Sequence, residues 1–190
     1  EIAFVQMEVK IMKATGIVRR IDDLGRVVIP KEIRRTMRIR EGDPLEIYTS
    51  NDGEVIFKKY SPVGELTEGV SQAAEVISKL GNAPAVIFDR DHVVAVAGAQ
   101  KKEYAERRNS PALEDLLETR KSYFWDESNP PLLLIEGMDS PAIAAAPIIS
   151  AGDVIGAVSF IKNSDDIKPN ENHFLLAKAA AMFLGKSLEE

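Results

Sequence analysis

The chain has 190 residues, with 24 Lys and Arg against 30 Asp and Glu, a formal net charge of −6. Its hydrophobic content of 45% with mixed charges describes one or two folded domains rather than a disordered chain, and no apolar run approaches the roughly eighteen residues needed to span a membrane. The absence of cysteine excludes disulfides, cysteine-ligated zinc and thiol catalysis, and fits a reducing cytoplasm.

Residues 1–11 (EIAFVQMEVKI) lack the apolar core and small-residue cleavage site of a secretory signal. They read as an N-terminal extension or a cloning remnant, with Met12 the expected working start. Thr15 to Asp22 (TGIVRRID) is predicted as a strand. Asp22-Asp23-Leu24-Gly25 is a turn, with glycine supplying positive φ. Arg26 to Ile29 is a second β-branched run, ended by Pro30. Lys31 to Arg38 (KEIRRTMR) is a short helix with Ile33 and Met37 four apart on one face, and Arg34, Arg35 and Arg38 elsewhere. Leu45 to Ser50 and Glu54 to Tyr60 form a hairpin across the turn signal Asn51-Asp52-Gly53.

This first segment differs in charge from the rest. Lys13 to Arg40 holds nine Lys/Arg against three acids, a net of +6, so the remainder of the chain sums to −12. That asymmetry points to a polyanion partner for one end. About fifty residues with a two-turn helix cannot bury much apolar area, and no disulfide or metal compensates. The expectation is that a second copy completes the core, which also duplicates the basic surface about a two-fold axis.

Residues 61–64 read as a linker, and residues 65–190 as a second domain. Glu65 to Leu80 has helical spacing, with Gly81 as its cap. Ala83 to Asp89 and His92 to Ala97 are apolar strands. Lys101 to Arg108 is a helix or loop. Ser110 caps a helix that starts at Pro111 and runs to about Thr119. Leu132 to Ile135 is an apolar stretch. Ala142 to Ile149 and Val154 to Lys162 form a hairpin, and Pro169 to Glu189 a final amphipathic helix. The fold class is α+β, a sheet with flanking helices whose two terminal helices are natural partners within or between chains.

The stretch GIVRRIDDLGRVVIPKEIRRTMRIREGDPLEIY resembles the AbrB-type swapped-hairpin domain of bacterial transition-state regulators. The continuation through EVIFKKYSPVGEL, and the later AAAPIISAGDVIGAVSFI, is similar to sporulation regulators that carry this domain ahead of a GAF-type domain. The resemblance implies an N-terminal dimer in which two chains interleave hairpins into a barrel-like body, over residues 12–60. It implies a transcriptional regulator of sporulation genes that binds double-stranded DNA in the cytoplasm, at the nucleoid and in the forespore. It places the DNA-facing cations on Arg19, Arg20, Arg26, Arg34 and Arg35. Lys31 joins them, although other members often have an apolar residue there. The GAF-like domain is expected to assemble dimers into tetramers, and a small-molecule effector stays open.

Arginine offers phosphate a permanent charge and a planar fork of donors. Ten such side chains in a dimer would give log affinity a slope of roughly −9 against log salt. With no long recognition helix, shape and deformability of the duplex should carry much of the selectivity. The competing reading makes these arginines a solvated face or partners of Asp22, Asp23 and Glu32. Nothing calls for a catalytic role: no phosphate-binding glycine loop or nucleophile elbow is present, and the acids outside the basic segment fall mostly in turns. His92 and His173 read as a strand residue and a helix-surface residue rather than metal ligands, and no cofactor is called for. Trp125 lines a small pocket or packs a loop. Ala144-Ala145-Ala146 permits close helix–sheet packing. An antitoxin-like module that binds DNA and a protein partner is the alternative function; such proteins usually carry a disordered tail where this chain has a patterned domain.

Overall fold

The computed structural model describes residues 14–128 and 130–189, so the expected extension at residues 1–11 and the start at Met12 lie outside the described residues. The chain divides into two compact units between Lys59 and Tyr60.

In the first unit, α1 (Lys31–Thr36) begins after Pro30, whose fixed φ leads into the helix. Arg38 ends it by adopting left-handed φ 51, so that the Ile39 N–H reaches back to the Arg34 carbonyl at 2.7 Å. This is the usual closure of a helix, with arginine in the place glycine normally takes. The helix is thus two residues shorter than predicted. Strands β1 (Leu45–Thr49) and β2 (Val55–Lys59) pair antiparallel, Leu45 opposite Lys59 and Thr49 opposite Val55, with Gly53 at φ 82 in the turn.

The two earlier predicted strands, 15–22 and 26–29, form no ladder among the described residues. Only the turn between them closes, Asp22 N–H to the Arg26 carbonyl at 3.1 Å and Gly25 N–H to the Asp22 carbonyl at 3.0 Å. Their apolar side chains face solvent: Val18 is 86% exposed, Ile21 69% and Val28 71%. Across the whole described unit, only Pro30 is buried. A strand needs a neighbour for its N–H and C=O groups, and the described residues supply none here.

The second unit is a five-stranded antiparallel sheet between two helical layers. Its strands are β3 (Ala85–Asp89), β4 (Val93–Ala97), β5 (Tyr123–Phe124), β6 (Ala142–Ser150) and β7 (Asp153–Ile161), ordered β4-β3-β7-β6-β5. Alternation along β3 sends Ala85 and Ile87 to one face and Val86 and Phe88 to the other. The first face is covered by α3 (Thr67–Gly81) and α6 (Glu171–Ser187), through Val70, Ala74 and Ile77 from one helix and Ala177, Ala181 and Leu184 from the other. The second face is covered by α4 (Lys101–Tyr104), α5 (Pro111–Thr119) and the 132–135 stretch, through Tyr104, Leu113, Leu117 and Leu134. The buried alanines 144–146 lie in β6, against which α6 packs.

Several expectations shift. The 61–64 segment is ordered: α2 (Pro62–Glu65) is capped by Ser61 and buries Val63 completely. Asn82, not Gly81, takes the left-handed cap of α3; Gly81 stays helical, at a place where a Cβ would press on the Phe160 ring. Leu132 to Ile135 is no strand and makes a single bridge, Ile135 to Asn109. Ser110 caps α5 as expected, accepting the Leu113 N–H at 3.2 Å and donating to the Leu133 carbonyl at 2.6 Å. His173 is a correction, for it is 1% exposed rather than on the helix surface. Among the described residues, no helix is long and apolar enough to cross a membrane.

Candidate nucleic-acid interface

The basic side chains singled out in the sequence sit on two supports in the first unit. Arg19, Arg20 and Arg26 flank the 22–25 turn, and Lys31, Arg34 and Arg35 lie on α1; all six are exposed. On a helix, positions three and four apart are neighbours, so Lys31 shares a face with Arg34 and Arg35. Like charges at that spacing cost the helix a few tenths of a kcal/mol each. Among the described residues, no carboxylate pairs with Arg19, Arg20, Lys31, Arg34 or Arg35. An arrangement that concentrates positive charge and leaves it unneutralised stabilises nothing in the chain itself, and it attracts anions.

Arg26 differs. Its Nε donates to Asp22 Oδ2 at 2.7 Å and its backbone N–H to Asp22 Oδ1 at 2.8 Å. The Leu24 N–H donates to the same Oδ1 at 3.0 Å. These bonds, first the Arg26 backbone N–H and then its guanidinium, hold the Asp22 carboxyl below its usual range. The competing reading, arginine as partner of an acid, therefore holds for Arg26, with Asp22 ordering the turn. Arg26 keeps its remaining guanidinium N–H groups.

A brace that the sequence does not announce sits beside this surface. Lys59 Nζ donates to the Arg38 carbonyl at 2.8 Å and lies 3.3 Å from Asp43 Oδ2. The same Oδ2 accepts the Arg40 N–H at 2.8 Å. The hairpin is thereby tied to the end of α1. The contact spans 21 residues of sequence, and no local pattern marks it.

In the second unit, an open cleft of about 640 Å³ is lined by Gly98, Gln100, Glu103, Tyr104, Ser140 and Asn163, among others. A second of about 400 Å³, lined by Glu75, Lys79 and Asn82, adjoins it at Gly98 and Asn163. Trp125 lines neither; the Lys162 ammonium sits over its ring, 5.7 Å from the centroid. Among the described residues, no cluster of three or more His, Cys, Asp or Glu could hold a metal ion.

Comparison with known proteins bears on both units. A family described as stage V sporulation protein T C-terminal, transcription factor, matches residues 65–189. A second, described as antidote-toxin recognition MazE, bacterial antitoxin, matches residues 18–64. The chain is 46% identical over 182 residues to stage V sporulation protein T of Bacillus subtilis (strain 168), covering 94% of this chain and 100% of that one. It is 63% identical over 51 residues to the transition state regulatory protein AbrB of the same organism, covering 27% of this chain and 52% of AbrB. A methyl-accepting chemotaxis protein, residues 122 to 287, shares the fold with a TM-score of 0.54 at 18% identity, over 66% of this chain and 88% of that one. Both the match over the second unit and the near end-to-end identity lead to one assignment: the chain belongs to the stage V sporulation protein T family of transcription factors.

Proposed function

We infer that this chain is a DNA-binding transcriptional regulator of sporulation genes that works as an assembly of identical copies. Residues 12–60 are the DNA-binding unit. Residues 61–64 join it to a GAF-like domain, residues 65–190, that links copies and has room for a small-molecule effector. The observation that carries the reading is the set of five exposed, unneutralised cations, Arg19, Arg20, Lys31, Arg34 and Arg35, on a unit with no core of its own. Exposed Val18, Ile21, Leu24 and Val28 suit an interior made by two interleaved copies, which sets two basic surfaces about one axis for one duplex. Arg26 contributes beside them. The AbrB relative is a transition state regulatory protein, which supports this role.

Beyond the dimer, α3 and α6 carry a second unpartnered surface. Leu80 is 67% exposed, Leu175 61%, Met182 70% and Phe183 65%. Packing this face on its equivalent joins two dimers into a tetramer. An effector in either cleft would regulate only by binding one arrangement of the assembly more tightly than another.

The test uses the full chain. Sequences selected from random duplex DNA serve as probes in a gel-shift series with the Arg34→Ala/Arg35→Ala variant. Both side chains are exposed and unpaired, so fold and oligomeric state should hold while affinity falls by at least about tenfold. Unchanged affinity would overturn the assignment of this face.

The match of residues 18–64 to an antitoxin family favours a second reading, a module that binds DNA and a toxin protein. A toxin-wrapping role calls for an extended segment after the DNA-binding unit. Residues 65–189 are a folded five-stranded domain, which leaves the regulator reading first.

A further inference from the structure

The second unit is acidic as a whole: residues 61–190 hold 12 Lys and Arg against 20 Asp and Glu. Four of its cations are nevertheless gathered on one short piece of structure at the outer edge of the sheet. Lys101 and Lys102 project from α4. Arg107 and Arg108 lie on the strap that returns along the start of β4, where Arg108 bridges His92 and the Val93 N–H donates to the Arg107 carbonyl at 2.8 Å. The strap is fixed at both ends. Tyr104, 3% exposed, anchors it in the core, and the Asn109 N–H donates to the Asp91 carbonyl at 2.9 Å. Arg107 Nε donates to the Glu103 carbonyl at 2.6 Å and so ties strap to helix. Lys101, Lys102, Arg107 and Arg108 are all exposed, and among the described residues none of them pairs with a carboxylate.

We propose that this ridge of Lys101, Lys102, Arg107 and Arg108 is a second contact to duplex DNA, gripping phosphates that flank the segment held by the N-terminal units. The proposal rests on the regulator reading above. A domain of net negative charge is repelled by a duplex except where cations locally outnumber acids, and residues 101–108, four cations against Glu103 and Glu106, are such a place. Arginine forks and lysine points both suit phosphate. Tethering to a DNA-bound unit raises the local concentration of duplex to about millimolar, so even weak phosphate contacts register. Contacts of this kind position without choosing sequence. Basic side chains at a sheet edge also keep it from pairing with other sheets. That role needs no DNA, and it is what remains if the test fails.

The experiment compares the full chain with its Lys101→Gln/Lys102→Gln/Arg108→Gln variant on mixed-sequence duplexes of roughly 60 and roughly 15 base pairs, by anisotropy across a potassium chloride series. None of the three side chains makes a hydrogen bond among the described residues, so melting and sedimentation should match the parent. On the long duplex, the slope of log affinity against log salt should shrink by about 1 to 3, at close to 0.9 per phosphate lost. On the short duplex, filled by the N-terminal units, it should stay the same. Equal slopes on the long duplex overturn the ridge as a DNA contact while leaving the regulator reading intact. A parent that binds neither duplex removes both. Should the triple variant melt early, Lys101→Glu/Lys102→Glu on the exposed helix gives the same readout.

Discussion

His173 Nε2 lies 2.8 Å from the carbonyl oxygen of Gly81, joining the N-terminus of α6 to the C-terminus of α3. The other ring nitrogen, Nδ1, accepts the Asn170 N–H at 3.2 Å, which fixes the proton on Nε2. Asn170 in turn accepts the Asn172 and His173 N–H groups at 3.0 and 3.4 Å. One buried ring thus completes a helix cap and bonds across to the neighbouring helix, edge-on to Phe160 with centroids 5.1 Å apart. His173→Phe preserves most of the volume and strands a carbonyl and an N–H. The expected cost is roughly 2–3 kcal/mol, a fall in melting temperature of about 5–10 °C for a unit of this size. Calorimetry showing no change would mean that water replaces both bonds.

The Lys59–Asp43 brace invites a similar test in the first unit. The Asp43 side chain is 3% exposed and that of Lys59 24%. Replacing Lys59 with Met removes one charged partner of a buried carboxylate, and one-sided removal of this kind costs up to about 3–5 kcal/mol. Adding Asp43→Asn to Lys59→Met should recover part of that loss. A double variant less stable than Lys59→Met, in urea titrations at one protein concentration, would show that Asp43 acts through its backbone contacts instead.

The turn that presents Arg19, Arg20 and Arg26 should respond to acid. The Asp22 carboxyl in the folded chain titrates below its ordinary 3.8, so its stabilisation of the turn is complete above about that pH and fades as pH falls through the lower folded value. The Arg26 backbone N–H contributes more to the shift than the guanidinium does. Arg26→Ala should therefore bring the titration midpoint only part of the way back, as followed by the carboxyl carbon resonance. A full return would assign the whole shift to the side chain.

What could be read from the residues follows how local the physics is. The Asn51–Gly53 hairpin, the Ser110-Pro111 helix start and the long hairpin of β6 and β7 all declare themselves within a few positions, through turn residues and alternation. The two-residue strand β5 does not, since Tyr123 and Phe124 are strand only because Ala144 and Ala145 lie opposite. His173 misleads because a histidine in that position of the capping box replaces the usual Glu or Gln, and its bond to Gly81 crosses 92 residues. The strands predicted at 15–22 and 26–29 have the right composition and no strand partner among the described residues. Of the six basic positions, exposure on the turn and on α1 was legible from spacing, while the capture of Arg26 by Asp22 was one of two open readings.

The exposed helix face yields the last prediction. Met182 and Phe183 are adjacent on α6, 70% and 65% exposed, and neither belongs to the buried cluster beneath that helix. Apolar side chains of this size held in water are a cost unless another surface covers them. Met182→Glu/Phe183→Glu should leave the sheet and its melting nearly unchanged, because no packed contact is lost. In a tetramer built on this face, four added carboxylates per helix pair would meet across the interface, and each like-charge contact that cannot escape to solvent opposes assembly. Sedimentation should then show half the parent mass, and affinity for DNA bearing two binding sites should fall by about tenfold or more as joint engagement is lost. A single-site duplex should hardly notice. A variant of unchanged mass places the contact between dimers elsewhere, whereas one that falls to a quarter would make this face part of the dimer itself.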